Sequence, residues 1–279
     1  MINPKRIKAS VKNNGNDVDY ESLPKIWFDD GDIFMTHFLN ALSITFPEGE
    51  RYFMTSVRSA IKNNAELKKS VEKDDSLRKD IRSFISQESL HGHEHDRLNN
   101  FLRDQGYPVD ASIRLVKKLL RSALSNKDLR SLNLAVTCAL EHITAILADM
   151  ILTDEQLTQK MHSAIRPLWL WHAEEEDEHK AVAFDVYTLA ATDDIASHYY
   201  ERTAAMIVAT LFLFIGIHGV QATFIARDGK LLDVRMWIDG FNKLYGTPRA
   251  HKPYVRRLVP AYMKYFVKGF HPEKVQNKK

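Results

Sequence analysis

What the 279-residue chain has little of narrows it quickly. Its one cysteine, Cys138, excludes an internal disulfide and fits a reducing compartment. Eleven glycines and nine prolines are few breakers for this length. With long runs of Leu, Ala, Lys and Glu, that scarcity favours a mostly helical chain. Alternating Val/Ile/Thr runs bounded by turn pairs are missing, so strands are not expected. A dominant charge is missing too, and a net charge of +3 makes no general case for nucleic acid. Residues 1–20 carry no apolar run, so no secretory signal is expected there. The expectation is a cytoplasmic protein with a polar leader (1–20), one helical domain (21–270) and a polar tail (271–279). No repeat of solenoid period and no low-complexity tract stands out.

What is present is a set of amphipathic helices whose apolar stripes are interrupted by ligand-type residues. Asp32 caps a helix to about Thr45, and Pro47-Glu48-Gly49-Glu50 marks a break or a new start before a helix to about Asn63. There Glu50 shares a stripe with Phe53, Met54, Val57, Ala60 and Ile61, while Glu48 falls on a more polar side. A long helix from about Asp75 to Gln105 runs Ile81, Phe84, Ile85, Glu88, His91, His95, Leu98, Leu102 along one face. Asp110 to Lys127 is a basic amphipathic segment. Leu132 to Leu152 is almost continuously apolar except for Glu141 and His142 near its middle. A fourth helix reaches Ala190, with Pro167 tolerable at its start or at a kink. It carries His172, Glu176 and His179 at spacings of four and three, within about 60° of one another on a helix.

Burying a lone ionised carboxylate is costly unless it is paired or bound to a cation. Seven such residues in core phase on four helices therefore point to metal: Glu50; Glu88 and His91; Glu141; His172, Glu176 and His179. One Glu from each of two helices and a Glu-x-x-His from each of two others is the arrangement of carboxylate-bridged two-metal bundles. Carboxylates neutralise two close cations, and imidazoles suit iron, manganese or zinc. The bland alternative, polar side chains satisfied in an ordinary helical core, leaves those carboxylates unexplained. Glu175 competes with Glu176, and the spacing to His179 favours Glu176. His95 continues its stripe as a residue behind the ligands. His93 and Glu94 are expected in solvent, and His37, His142 and His218 in local hydrogen bonds. The fold expectation is all-α, a ferritin-like four-helix bundle with a dinuclear metal centre plus extra N- and C-terminal helices.

Pro47-x-Gly49-Glu50, Gln87-Glu88-x-x-His91-x-x-x-His95, Ala139-Leu140-Glu141 and Trp171-His172-x-x-Glu175-Glu176-x-x-His179-Lys180 resemble a bacterial family labelled "predicted metal-dependent hydrolase", from about Pro24 to Tyr262. Ligand order and spacing also resemble the diiron arylamine N-oxygenases of the ferritin-like group, which carry an extra histidine where this chain has His172. That second resemblance implies two irons held by Glu50, Glu88, His91, Glu141, His172, Glu176 and His179. The main functional expectation is a diiron oxidase or oxygenase that takes dioxygen, an electron donor and a small substrate, with a hydrophobic one left open. One alternative is a hydrolase with two zinc or manganese ions on the same ligands. A third is a non-enzymatic iron-binding or membrane-associated protein.

Thr203 to Ile225 is 23 residues without a charge, long enough to span a bilayer and equally consistent with a helix covered by its neighbours. From His251 the chain mixes basic and aromatic residues, as in a tail lying on an anionic membrane or in a final helix packed on the bundle. Peripheral membrane contact through 203–225 and this tail, and a homodimer, are left open.

Overall fold

The computed structural model describes residues 18–190, 195–246 and 253–275. Most of the expected leader and the last four residues of the tail lie outside them. Among the described residues the chain is all-helical, with no strand beyond one isolated bridge between Phe28 and Met161. The main helices are α1 (Ile33–Asn63), α2 (Ala65–Lys73), α3 (Asp75–Asp104), α4 (Val109–Ser125), α5 (Arg130–Thr153) and α6 (Glu155–Gln159). They continue as α7 (Arg166–His179), α8 (Val182–Ala190), α9 (Ile195–Arg227), α10 (Val234–Tyr245) and α11 (Val259–Lys264).

Local chemistry sets most of these boundaries. The Asp32, Asn64, Asp74 and Asp154 side chains accept from backbone N–H groups in the first turns of α1, α2, α3 and α6. Gly106, with φ +83°, turns the chain after α3 in a conformation that disfavours larger side chains. Pro167 stands in the first turn of α7, where its missing N–H costs nothing.

Two expected boundaries differ. The expected break at Pro47 is absent, and α1 runs straight through it. Proline there removes the N–H that would bond the Ser43 carbonyl. Burial compensates, because Pro47 and its neighbours Ile44, Glu48 and Glu50 are all packed inside the bundle. Conversely, the expected single helix to Ala190 is two, separated at Lys180-Ala181. The residue that ends α7, Lys180, takes φ −49° and ψ −20°, a tightened turn rather than a further α turn.

α1 packs on α3 and α5, and α7 packs on α5 and α3, so these four close a ring. Their inward stripes meet in its centre. α4 covers an outer side of α1, and α9 lies against α1 and α5. Two apolar cores flank the centre. One gathers Trp27, Phe28, Phe34, Leu98, Leu102, Leu168 and Phe224, the other Phe53, Val57, Phe84, Leu134, Val186 and Tyr265. Of the two readings left open for 203–225, a helix fully covered by its neighbours does not describe α9. Two thirds (67%) of the most apolar stretch of α5 is buried, against 28% of that of α9. Both are long and apolar enough to cross a membrane, but only α9 leaves a face uncovered.

One polar staple ties the N-terminal segment to the far end of α9. Asp228 accepts from Lys25 Nζ (2.6 Å) and Tyr107 Oη (2.9 Å) and lies 2.6 Å from His37 Nε2. Burial holds His37 below the usual imidazole range despite this carboxylate. Replacing Asp228 by Asn keeps one acceptor oxygen but removes the charge that pairs with Lys25 and turns the oxygen facing His37 into an amide donor. Asp228→Asn should destabilise the protein by about 1–3 kcal/mol, the range for a buried donor left unpaired. Thermal melts read this as a drop of several degrees, and an unchanged midpoint would show the staple to be dispensable.

Candidate metal centre

The ring places all seven sequence-predicted ligands in its dry interior. Glu50, Glu88, His91, Glu141, His172, Glu176 and His179 are each buried, none more than 4% exposed. α1 contributes Glu50, α3 Glu88 and His91, α5 Glu141, and α7 the remaining three. Ligand atoms of Glu88, His91, Glu176 and His179 lie within 4.8 Å of one another, and so do those of Glu50, His91 and His172. The two groups share His91. Glu141 joins them through His179, its Oε2 lying 3.2 Å from Nδ1, while His179 Nε2 stands 3.3 Å from Glu88 Oε1.

Close approach of α1 and α3 makes this possible. A Cβ on Gly92 would lie 2.9 Å from Glu50 Oε2 and 3.7 Å from Pro47 Cα. A side chain at position 92 would displace the Glu50 carboxylate from its present position.

Electrostatics in this cavity are frustrated. Burial, then repulsion from Glu176, raises the Glu50 carboxyl well above its ordinary range. Burial and the nearby Glu141 and Glu176 do the same to Glu88. Burial pushes Glu141 up to about 7, against the pull of its hydrogen bond with His179. Burial opposes charging of His179, yet Glu141, Glu176 and Glu175 raise it to about 9. Burial and the neighbouring imidazoles hold His91 well below its usual value. It stacks on His172 at 4.1 Å between ring centres. Burial also opposes ionisation of Glu176, but His172, His179 and Thr144 keep it below the ordinary carboxylate range.

Many of these atoms lack a well-aligned hydrogen bond: both oxygens of Glu50 and of Glu88, both nitrogens of His91, Glu141 Oε1 and His179 Nε2, although His179 Nε2 and Glu88 Oε1 are close enough to pair as ions. Buried polar atoms are normally satisfied, and unmet carboxylate oxygens cost several kcal/mol apiece in a dry interior. Cations held among them would meet that need, so the residues present fit a metal centre. The donor set, carboxylate and imidazole without thiolate, suits zinc, manganese or iron.

A hydrogen-bonded line of side chains supports one wall. Glu176 Oε1 lies 3.0 Å from His172 Nε2, His172 Nδ1 lies 2.7 Å from His95 Nε2, and His95 Nδ1 lies 2.8 Å from Ser43 Oγ. A His172 that presents Nε2 to an ion keeps its proton on Nδ1 and donates it to His95. His95 then donates from Nδ1 to Ser43, which fixes both tautomers. Burial keeps His95 well below the usual imidazole range, in keeping with that neutral role.

Some participants had little signal in the sequence. Glu175, set aside in favour of Glu176, is equally buried, with Oε2 3.0 Å from His91 Nε2. Burial pushes its carboxyl up to about 7. Thr144, one turn after Glu141, donates to Glu176 Oε2 at 2.5 Å. Ser43 lies two turns before Glu50 on the same helix. Glu94 is buried rather than solvated, its charge met by Arg97 at 2.8 Å, and Glu48 is buried against Arg51 at 2.7 Å. His93 is exposed. His37, His142 and His218 make local bonds away from the centre, to Asp228, the Ala261 carbonyl, and Gln221 with Tyr245.

One protein-family model, described as "Predicted metal-dependent hydrolase", matches residues 13–276. No curated protein matches the chain. No solved structure matches it either. The family description overturns the main functional expectation of a diiron oxygenase that uses dioxygen and an electron donor, and it agrees with the alternative of a metal-dependent hydrolase on the same ligands. The error lay in letting a ligand pattern choose the reaction, since carboxylate and imidazole donors serve hydrolytic zinc and manganese as readily as oxidative iron. With nearly all of its length matched, the chain belongs to the predicted metal-dependent hydrolase family.

Proposed function

We propose that the protein is a hydrolase with a dinuclear centre of divalent ions, zinc or manganese, held by Glu50, Glu88, His91, Glu141, His172, Glu176 and His179. The observation that carries this reading is the set of buried, unpartnered carboxylate oxygens and imidazole nitrogens at the centre of the ring. Bound divalent ions supply an activated water and Lewis acidity toward a carbonyl or phosphoryl oxygen.

The remaining side chains have definable tasks. His95 and Ser43 hold the His172 ring in one orientation. Thr144 holds one Glu176 oxygen and leaves the other facing His172. Glu175, close to His91 Nε2, orients that ring so that Nδ1 faces the Glu176 side, 3.6 Å away. With a carboxyl near neutrality, Glu175 is also the group suited to hold a proton during turnover. Apolar packing around the cluster, including Phe46 against His95 and His172 and Phe84 against His179, keeps bulk water away.

Natively purified protein should carry about two divalent ions per chain, the stoichiometry of such a bundle. It should hydrolyse members of a panel of nitrophenyl carboxylate and phosphate esters. Chelation followed by dialysis should abolish turnover, and zinc or manganese should restore it. Turnover that survives complete metal removal would refute the proposal.

Gly92→Ala changes no ligand but pushes Glu50 outward. Metal affinity should fall roughly ten- to hundred-fold, the usual cost of disturbing a ligand's support. Competition with a chromogenic chelator reads the difference, and equal affinity would remove Glu50 from the ligand set.

Metal binding should also strengthen with pH. The raised groups, Glu50, Glu88, Glu141 and His179, hold protons at neutrality that must leave when cations arrive. For the metal-free protein the sign follows from the same shifts. A raised folded pKa means that the folded chain binds more protons than the unfolded chain, so stability falls as pH rises. His91 and His95 shift the opposite way but are neutral in both states above about pH 7. Between about pH 7 and pH 9 the metal-free protein should therefore lose stability while metal affinity rises. Denaturant titrations and calorimetry in two buffers test both, and proton uptake on metal binding would contradict the assignment.

A further inference from the structure

The least explained surface of the molecule is the outer face of α9. Its inner stripe, Ala205, Met206, Ala209, Ile217, Gln221 and Phe224, is buried in the body of the protein. Its outer stripe is not: Ile207, Val208, Leu211, Phe214 and Ile215 are exposed, Leu211 at 56% and Ile215 at 69%. From Thr203 to Ala226 the helix carries no charge. Neighbouring segments extend this face. Ring contacts of Phe214 and His218 with Tyr245 bring α10 alongside, and a 2.8 Å hydrogen bond from Thr210 to Tyr262 brings α11 alongside. Ile238 on α10 and Val259 and Met263 on α11 are exposed as well, and Leu232 in the turn after α9 is 90% exposed. An apolar cavity of about 260 Å³ opens between Phe214 and Val259 over Leu42, Leu213 and Ile217.

Contiguous apolar surface of this kind marks an interaction site. Charge decides what covers it. Between Arg227 and Lys268 the described residues include eight Lys or Arg and three Asp, with Lys243 and Arg257 paired to Asp32 and Asp154, although the whole chain is only +3. Exposed basic residues sit beside the exposed apolar ones: Arg235, 3.8 Å from the exposed Asp239, between Val234 and Ile238, and Lys268 after Val267. A second copy of the chain would bring the same positive charge against itself. An anionic bilayer answers both the apolar stripe and its basic border. Spanning is excluded by the covered half of α9, where Arg202 is buried and bonded to the Tyr265 and Val267 carbonyls and Gln221 bonds the Phe34 carbonyl.

We propose that the outer stripe of α9, with the exposed apolar residues of α10 and α11 and their basic border, seats the protein in the plane of an anionic lipid surface. α9 lies along the interface, its apolar side chains reach the acyl region, and Arg235 and Lys268 meet lipid phosphates.

Co-sedimentation of the full chain with vesicles of phosphatidylcholine alone, and of phosphatidylcholine with phosphatidylserine, tests this. Wild-type protein should bind the anionic vesicles at least ~10-fold more tightly than the neutral ones, and added salt should weaken the binding. Leu211→Glu with Ile215→Glu should reduce that binding ~10-fold or more, with thermal midpoint and metal content unchanged because both side chains are exposed. Arg235→Glu with Lys268→Glu should remove the preference for anionic lipid. Absence of vesicle binding, or binding indifferent to both double variants, overturns the proposal. So does a vesicle-free dimer in sedimentation equilibrium that L211E/I215E dissociates, since the face would then join two copies of the chain.

Discussion

Four buried carboxylates within reach of one another cannot all stay ionised in a dry interior, and the rest of the structure is arranged around that constraint. Glu50, Glu88, Glu141 and Glu176 stand on four different helices with three imidazoles among them. Burial keeps bulk water away, so the remedies are protonation, pairing or cations. The chain uses part of the second, through Glu141 with His179 and Glu176 with His172 and Thr144. Both oxygens of Glu50 have no such partner, and Glu88 has only His179 Nε2 at 3.3 Å, out of hydrogen-bond alignment. A core that merely tolerated polar residues would pair them, as Glu94 is paired with Arg97 and Glu48 with Arg51. The contrast within one protein separates carboxylates that are structurally satisfied from carboxylates held for a ligand.

That contrast also explains what could be seen in the sequence. Glu141 inside an apolar run and Glu88 with His91 replacing two turns of an apolar stripe are anomalies of periodicity, and periodicity is local. The all-helical bundle and the burial of the seven candidate ligand residues follow from it. Whatever depends on a partner from a distant segment was invisible. Glu94 looked solvated because the burial around it comes from packing. Pro47 looked like a break because proline's local cost is real, while the packing that offsets it comes from the rest of the ring. Gly92 carried no signal at all, since its role is to leave room for a carboxylate on another helix. Glu175 was lost to a spacing rule that assigns one glutamate per stripe, whereas the end of α7 buries two adjacent ones.

Ligand geometry and reaction are different levels of description. Clustered carboxylates and imidazoles limit the metal to a few candidates, but they leave open whether that metal activates water or oxygen. A family description, not the cluster, turns the reading toward hydrolysis. What the structure adds is support for three candidate ligands: His95 and Ser43 behind His172, Glu175 behind His91, Thr144 behind Glu176. Such supports fix ring tautomers and carboxylate rotamers before any substrate arrives, and they spare the reorganisation that a looser site would need.

α5 connects this centre to the outside of the molecule. One side of it offers Glu141 and Thr144 to the ring, and the other lines the cavity beneath α9 with Ile143, Ile146 and Leu147. The same helix therefore borders a charged, cation-hungry interior and a purely apolar recess that opens on the uncovered face. Its composition had to satisfy both, which is why it reads as a nearly uninterrupted apolar run with an acid at its middle. An ordinary core helix has one polar side facing solvent. Here the polar side faces the ring's interior, and the opposite side, packed under α9, is the apolar one.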